Sequence, residues 1–165
     1  MNGSVNVYVI DTSALIDIKR TYPLKRIPPI WRWLESLIKE GRLTAPQEVF
    51  NEISRYTDDL KEWGEKNPDL FVKLDLTQIM KVREVMTKHP QLFDPEKPVP
   101  DADPYVIGLA LERRGQRTVE MKTMNTIVIS HEGSKKSHIP DVCKAYTIRC
   151  IRFEELMELE DWKFG

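Results

Sequence analysis

Glycine, cysteine and long apolar runs are all scarce in this chain, and each scarcity removes a class of protein. Only seven glycines occur among 165 residues, and none forms the G-x-x-x-x-G-K of a phosphate-cradling loop or the G-x-G-x-x-G of a dinucleotide fold. The G-x-S-x-G elbow of a serine hydrolase is missing too. Cys143 and Cys150 are the only cysteines, too few for a disulfide framework and without the C-x-x-C spacing of a zinc or redox site, so both are expected as reduced core thiols. His89, His131 and His138 do not form H-E-x-x-H, and the last two flank a polar loop that suits solvated side chains. No stretch approaches the ~20 apolar residues that span a bilayer. The start MNGSVNVYVI also lacks the charged head and long apolar region of a signal peptide. No membrane association and a cytoplasmic location are the simple expectation.

Charge of one sign is missing as well. Lys plus Arg number 25 against 26 Asp plus Glu, a formal charge of -1, so no global positive field advertises a nucleic-acid partner, although a local patch could still serve one. What is present is ordinary for a folded protein: 41% hydrophobic and 31% charged residues. A length of 165 residues matches one domain spanning residues 1–165.

The chain alternates strand and helix signals. VNVYVI at 5–10 is β-branched and aromatic and stops at Asp11-Thr12-Ser13, so Asp11 falls just past a strand's carboxyl end. Helical spacing follows in ALIDIKR. Pro28 and Pro29 open IWRWLESLIKE, whose Ile30, Trp33, Leu34, Leu37 and Ile38 share a face and whose Gly41 supplies the stop. Leu43 to Ala45 suits a short strand. Pro46 then opens QEVFNEISRY, with Val49, Ile53 and Tyr56 as the buried stripe and Glu48 and Glu52 one turn apart beside it. Residues 58–66 extend the helical region, Asn67-Pro68 breaks it, and LTQIMKVREVMTKH resumes it, so the middle of the chain reads as all helical.

Four prolines in HPQLFDPEKPVP make residues 89–100 a loop. Asp103-Pro104 starts the apolar helix YVIGLALERR, with Asp103 in the N-cap role. TIVIS at 126–130 is a further strand, HEGSKKSHIPDV a loop with a short helix, Thr147 to Ile151 a third clear strand, and FEELMELEDW a helix burying Phe153, Leu156 and Met157. Strands separated by helices predict an α/β fold with a central parallel sheet flanked by helices on both faces, in which ligands sit beyond the carboxyl ends of the strands.

Acidic residues recur at those ends: Asp11 after the first strand, Glu52 on a helix, Asp101 and Asp103 before a buried helix, and Glu132 after TIVIS. Converging carboxylates need a cation to remain ionised together, and hard cations such as Mg²⁺ and Mn²⁺ prefer oxygen ligands. Each acid also has a simpler reading. Asp11 could only end its strand by bonding nearby amides, Asp103 could only cap its helix, and Glu52 could be a surface charge. A phosphatase with a nucleophilic Asp after strand one would need a second Asp two residues on, where this chain has Ser13. A phospho-acceptor receiver domain would need a phosphorylatable Asp at a mid-chain strand end, where the sequence reads helical and proline-rich.

With these residues assembled, the chain resembles the PIN-domain family of metal-dependent nucleases over nearly its whole length. YVIDTSALID resembles that family's opening strand, which implies Asp11 as first metal ligand and Ser13 as its support. TAPQEVFNEI is similar to its P-x-x-V-x-x-E helix, implying Glu52, with Glu48 as a neighbour. DADPYVIGLA resembles its D-x-x-I-x-x-x-A helix start, implying Asp103, with Asp101 as auxiliary. IVISHE is similar to its V-V-T-x-D strand end, placing Ser130 at the Thr position and Glu132 at the fourth acid, with Asp141 the alternative. IPDVCKAYTIRCIRFEELM resembles a PIN-like branch of unknown function. The pattern departs from the family in having Glu as the fourth acid, Ser before it, and a longer connection, RRGQRTVEMKTMN, ahead of TIVIS.

The resemblance implies Mg²⁺- or Mn²⁺-dependent endonucleolytic hydrolysis of RNA by Asp11, Glu52, Asp103 and Glu132, in the role of toxin in a type II toxin–antitoxin pair with an antitoxin protein as partner. The alternative is a catalytically weak or inactive PIN-like module that binds nucleic acid or protein. Arg113, Arg114 and Arg117, or Lys135 and Lys136, are candidates for steering a polyanion. Exposed helices carrying Trp31 and Trp63 are candidates for a homodimer contact.

Overall fold

The computed structural model describes residues 3–55, 58–132 and 139–164. Five strands, β1 (Ser4–Ile10), β2 (Leu43–Pro46), β3 (Phe71–Val72), β4 (Thr123–Ile129) and β5 (Arg149–Ile151), form one sheet in the order β3-β2-β1-β4-β5, every neighbouring pair parallel. Among the described residues eight α-helices surround it: α1 (Thr12–Thr21), α2 (Pro28–Lys39), α3 (Gln47–Ile53), α4 (Asp59–Lys66), α5 (Leu76–Lys88), α6 (Asp103–Arg113), α7 (Ile139–Ala145) and α8 (Phe153–Leu159). None of the described helices is long and apolar enough to cross a membrane. The expected α/β architecture is the one observed.

The central strands are buried on both faces, so Val7 to Ile10 and Ile127 to Ile129 read as continuous apolar runs and not as alternating ones. The β1–β4 register pairs Ser4 with Thr123 through to Ile10 with Ile129. One step further along the same register lie Asp11 and Ser130, and the Asp11 amide donates to the Ile129 carbonyl at 3.0 Å. Register therefore fixes which polar residues meet at the sheet's carboxyl edge.

Helix α2 ends at the expected glycine. Gly41 takes φ +73°, its amide donates to Ile38 O at 3.0 Å and the Arg42 amide to Leu37 O at 2.8 Å, the paired bonds of a Schellman cap. Helix α6 packs on α5 through Gly108, where an added Cβ would lie 2.5 Å from Val82 Cγ2 and 3.0 Å from the Val82 amide nitrogen. That glycine sets how closely the two helices approach.

Several expectations are corrected. The middle of the chain is not all helical: Phe71 and Val72 add an edge strand beside β2, paired to Ala45 and Pro46, and two residues carry too little periodicity to be read. Strand β4 begins three residues before TIVIS because residues 116–124 double back, with Thr118 N donating to Lys122 O and Met124 N to Gln116 O. Trp31 and Trp63 are not exposed. They are 3% and 5% exposed and pack edge to face on each other at 5.0 Å, with the Trp31 indole N–H bonded to Tyr22 O. Cys143 is a buried free thiol as expected, and Cys150 a free, half-buried one. Tyr56, Lys135, Lys136 and His138 lie outside the described residues.

Candidate metal centre

Asp11 is the innermost acid, 1% exposed at the end of β1. It caps α1, with Oδ1 accepting from the Ala14 amide at 2.8 Å, so the capping role is real. It is also only part of the environment. Ser130 Oγ donates to Oδ2 at 2.6 Å, and Ser13 Oγ lies 2.9 and 3.0 Å from the two oxygens. The hydroxyls are themselves held: the His131 amide donates to Ser13 Oγ at 3.1 Å and the Glu132 amide to Ser130 Oγ at 3.2 Å. Burial pushes the Asp11 carboxyl up to about 7, against the opposing pull of the Ser130, Ala14 and Ser13 hydrogen bonds, with the Glu132 charge adding to the rise.

Asp103 differs from its expected role by one residue. Ala102 occupies the N-cap position and Asp103 is the first helical residue, with Pro104 behind it, and no side chain among the described residues caps the helix. The Asp103 carboxylate is therefore not spent on capping. Its pKa is raised, first by burial and then by the charges of Glu132, Asp11, Glu52 and Asp101. Four acids thus reach it electrostatically from α3, from the ends of β1 and β4, and from its own approach loop.

Glu52 is held by a hydrogen bond from the Thr12 hydroxyl, which ties α3 to the first residue of α1. Glu132, just beyond β4, accepts the Ile139 amide at 3.1 Å through Oε2, so the start of α7 orients it. Of the contested fourth positions, Glu132 is the one whose charge bears on both Asp11 and Asp103. Asp101 is occupied elsewhere: its Oδ2 accepts the Asp94 amide at 2.8 Å and its Oδ1 meets Lys97 Nζ at 2.6 Å. Burial would raise the Asp101 carboxyl, but the Lys97 and Asp94 hydrogen bonds, with the Lys97 and Arg55 charges, hold it below the usual carboxylate value. Asp141 is exposed on α7.

Some participants were not singled out from the sequence. Thr12 and Lys97 act through partners 40 and 4 residues away, and only the first-turn position of Thr12, beside Asp11, hinted at a role. Glu48, already noted one turn before Glu52, has a buried Oε1 without a hydrogen-bond partner among the described residues, and burial raises its pKa. His131 is a loop side chain that keeps 35% exposure while paired on both sides. It is half-buried, with Nδ1 at 3.2 Å from Asp17 Oδ2 and 2.7 Å from an Arg152 guanidinium nitrogen. Arg113, Arg114 and Arg117 lie at or beyond the far end of α6, roughly 15 Å along the helix from Asp103 at 1.5 Å per residue. Arg113 is desolvated by burial and Arg114 donates to Tyr146 O at 2.5 Å.

Among the described residues, no three His, Cys, Asp or Glu side chains form a ready coordination group. The donor chemistry nonetheless fits a hard divalent cation, since carboxylate oxygens dominate and two of them, on Asp11 and Asp103, are raised by burial and mutual repulsion that a cation would relieve.

Fold and site together define an α/β protein whose parallel sheet carries acidic side chains at its carboxyl edge, Asp11 buried and Glu52, Asp103 and Glu132 half-buried. Within that class the chain belongs to the family described as Domain of unknown function (DUF4411), whose model matches residues 8–164. Comparison with curated proteins and with solved structures finds no match.

Proposed function

We propose that this protein is a metal-dependent ribonuclease that hydrolyses RNA phosphodiester bonds endonucleolytically. The observation that carries the reading is Asp103: a half-buried carboxylate at a helix start, free of any capping bond among the described residues, whose pKa is raised by burial and by the charges of Glu132, Asp11, Glu52 and Asp101. Asp11, Glu52, Asp103 and Glu132 would hold Mg²⁺ or Mn²⁺. When bound, such ions supply a Lewis acid for the phosphate oxygens and lower the pKa of the attacking water.

The chain's own contribution is orientation. Ser13 and Ser130 fix the Asp11 carboxylate, Thr12 fixes Glu52, and the Ile139 amide fixes Glu132. Such supports matter for metal affinity nearly as much as the ligands do. The PIN-like resemblance of the four acidic segments supports RNA as substrate. The role of toxin with an antitoxin partner rests on that resemblance alone, and a small DNA-binding protein in the adjacent reading frame is the observation that would favour it.

A second reading, a catalytically inert binding module, is favoured by the lack of a gathered coordination group among the described residues. Calorimetric titration with Mn²⁺ separates the two. Binding by the wild type that disappears in Glu52→Gln supports the nuclease, whereas no detectable binding by the wild type supports the module.

A further inference from the structure

Beside the acidic cluster, the proline-rich loop and the first turn of α6 enclose a cavity of ≈ 330 Å³ lined by Phe93, Lys97, Pro98, Asp101, Tyr105 and others. Its walls combine two aromatic rings with prolines, whose fixed φ makes them stiff. Both rings are half-buried and not fully packed into the core.

The cavity is lined by Asp101, Pro104 and Tyr105, which flank Asp103 in the chain. Asp101 lines it and adds to the charge felt by Asp103, and Tyr105 follows Asp103 by two residues on α6. Lys97 lies in the same wall, bonded to Asp101 and within the electrostatic reach of Glu52. One cation and one base-sized apolar slot therefore lie beside the residues that flank Asp103.

Resting on the ribonuclease reading, we propose that this cavity is the subsite for one unpaired nucleobase of single-stranded RNA next to the bond that is cut. The base stacks on Phe93 or Tyr105, and Lys97 exchanges the Asp101 carboxylate for an RNA phosphate. Aromatic stacking suits any base and gives affinity without sequence readout. A base in a duplex would not reach the slot, so the subsite selects unpaired RNA.

The test uses a short single-stranded RNA carrying 2-aminopurine, whose fluorescence is quenched when it stacks, bound to the full chain in EDTA so that cation-dependent hydrolysis is off. Wild type should quench the probe. Phe93→Leu and Tyr105→Leu, which keep apolar volume but remove a ring, should together weaken binding roughly tenfold and restore fluorescence, and Lys97→Ala should weaken binding further. An RNA abasic at the probe position should bind wild type and the double variant alike. Absence of quenching by wild type, or unchanged quenching and affinity in the variants, overturns the proposal. Cleavage with Mn²⁺ in a parallel reaction separates the two claims. Quenching without cleavage leaves the subsite and sinks the ribonuclease; cleavage with no effect of the variants does the reverse.

Discussion

Asp11 and Asp103 both bind a proton more tightly in the folded protein than in the unfolded chain. Burial raises Asp11 from 3.8 to about 7 and raises Asp103 as well, with neighbouring carboxylates contributing. Between pH 3.8 and about 7 the folded protein therefore binds a proton at Asp11 that the unfolded chain releases. Stability linked to such a group is full below its unfolded pKa and is lost as pH rises through its folded pKa. Denaturation in EDTA should show lower stability at pH 8 than at pH 5. Asp103→Asn should flatten that profile and exceed wild type at pH 8 by on the order of 1–3 kcal/mol. A variant profile parallel to wild type would show that Asp103 is an ordinary surface carboxylate.

The supporting hydroxyl of Thr12 gives a separate test at the same scale. Thr12→Val keeps the side-chain shape but leaves Glu52 without its hydroxyl donor. Mn²⁺ affinity should fall about 10–100-fold with little change in stability. Part of this arrangement was legible in the sequence: Asp11 and Glu132 sit where a strand pattern stops, which is a local feature, while Ser13 and Ser130 were implied by the PIN-like resemblance. What was not legible depends on pairs far apart in the chain. Nothing near Glu52 announces its bond to Thr12, and nothing near Asp101 shows that it fastens the proline loop through Asp94 and Lys97.

At the scale of elements, the α5–α6 contact carries the clearest expectation. Gly108→Ala would put a methyl against the stiff, β-branched Val82 at 2.5 Å, and the clash should cost about 1–3 kcal/mol by urea denaturation. Because α6 begins at Asp103, the same variant should also reduce Mn²⁺ affinity. Unchanged stability would mean that the helices separate freely and do not fix Asp103. Sequence showed the long, apolar helices well, because their period repeats over many residues. It missed β3 and the doubling back of residues 116–124, where pairing between short segments decides the structure, and it shifted the start of α6 by one residue because Asp-Pro fits either cap register.

At the scale of the molecule, a formal charge of -1 leaves little general attraction for RNA. The described cations associated with the acidic edge are Lys97 and Arg55 through Asp101 and Arg152 through His131. If these three make the phosphate contacts, the logarithm of RNA affinity should fall against the logarithm of salt with a slope of about -2, at roughly -0.7 per contact for single strands. A much steeper slope would point to a larger basic surface.

The proposed chemistry is tested most directly by incubating a short unstructured RNA with Mn²⁺ and wild type, Asp11→Asn or Asp103→Asn, and separating the products by size. The expected result is internal cleavage by wild type, abolished by EDTA and reduced at least roughly 100-fold in each variant, since the carboxylates act as one unit. Cleavage that persists unchanged in both variants, or no cleavage by wild type, would contradict a nuclease centred on Asp11 and Asp103.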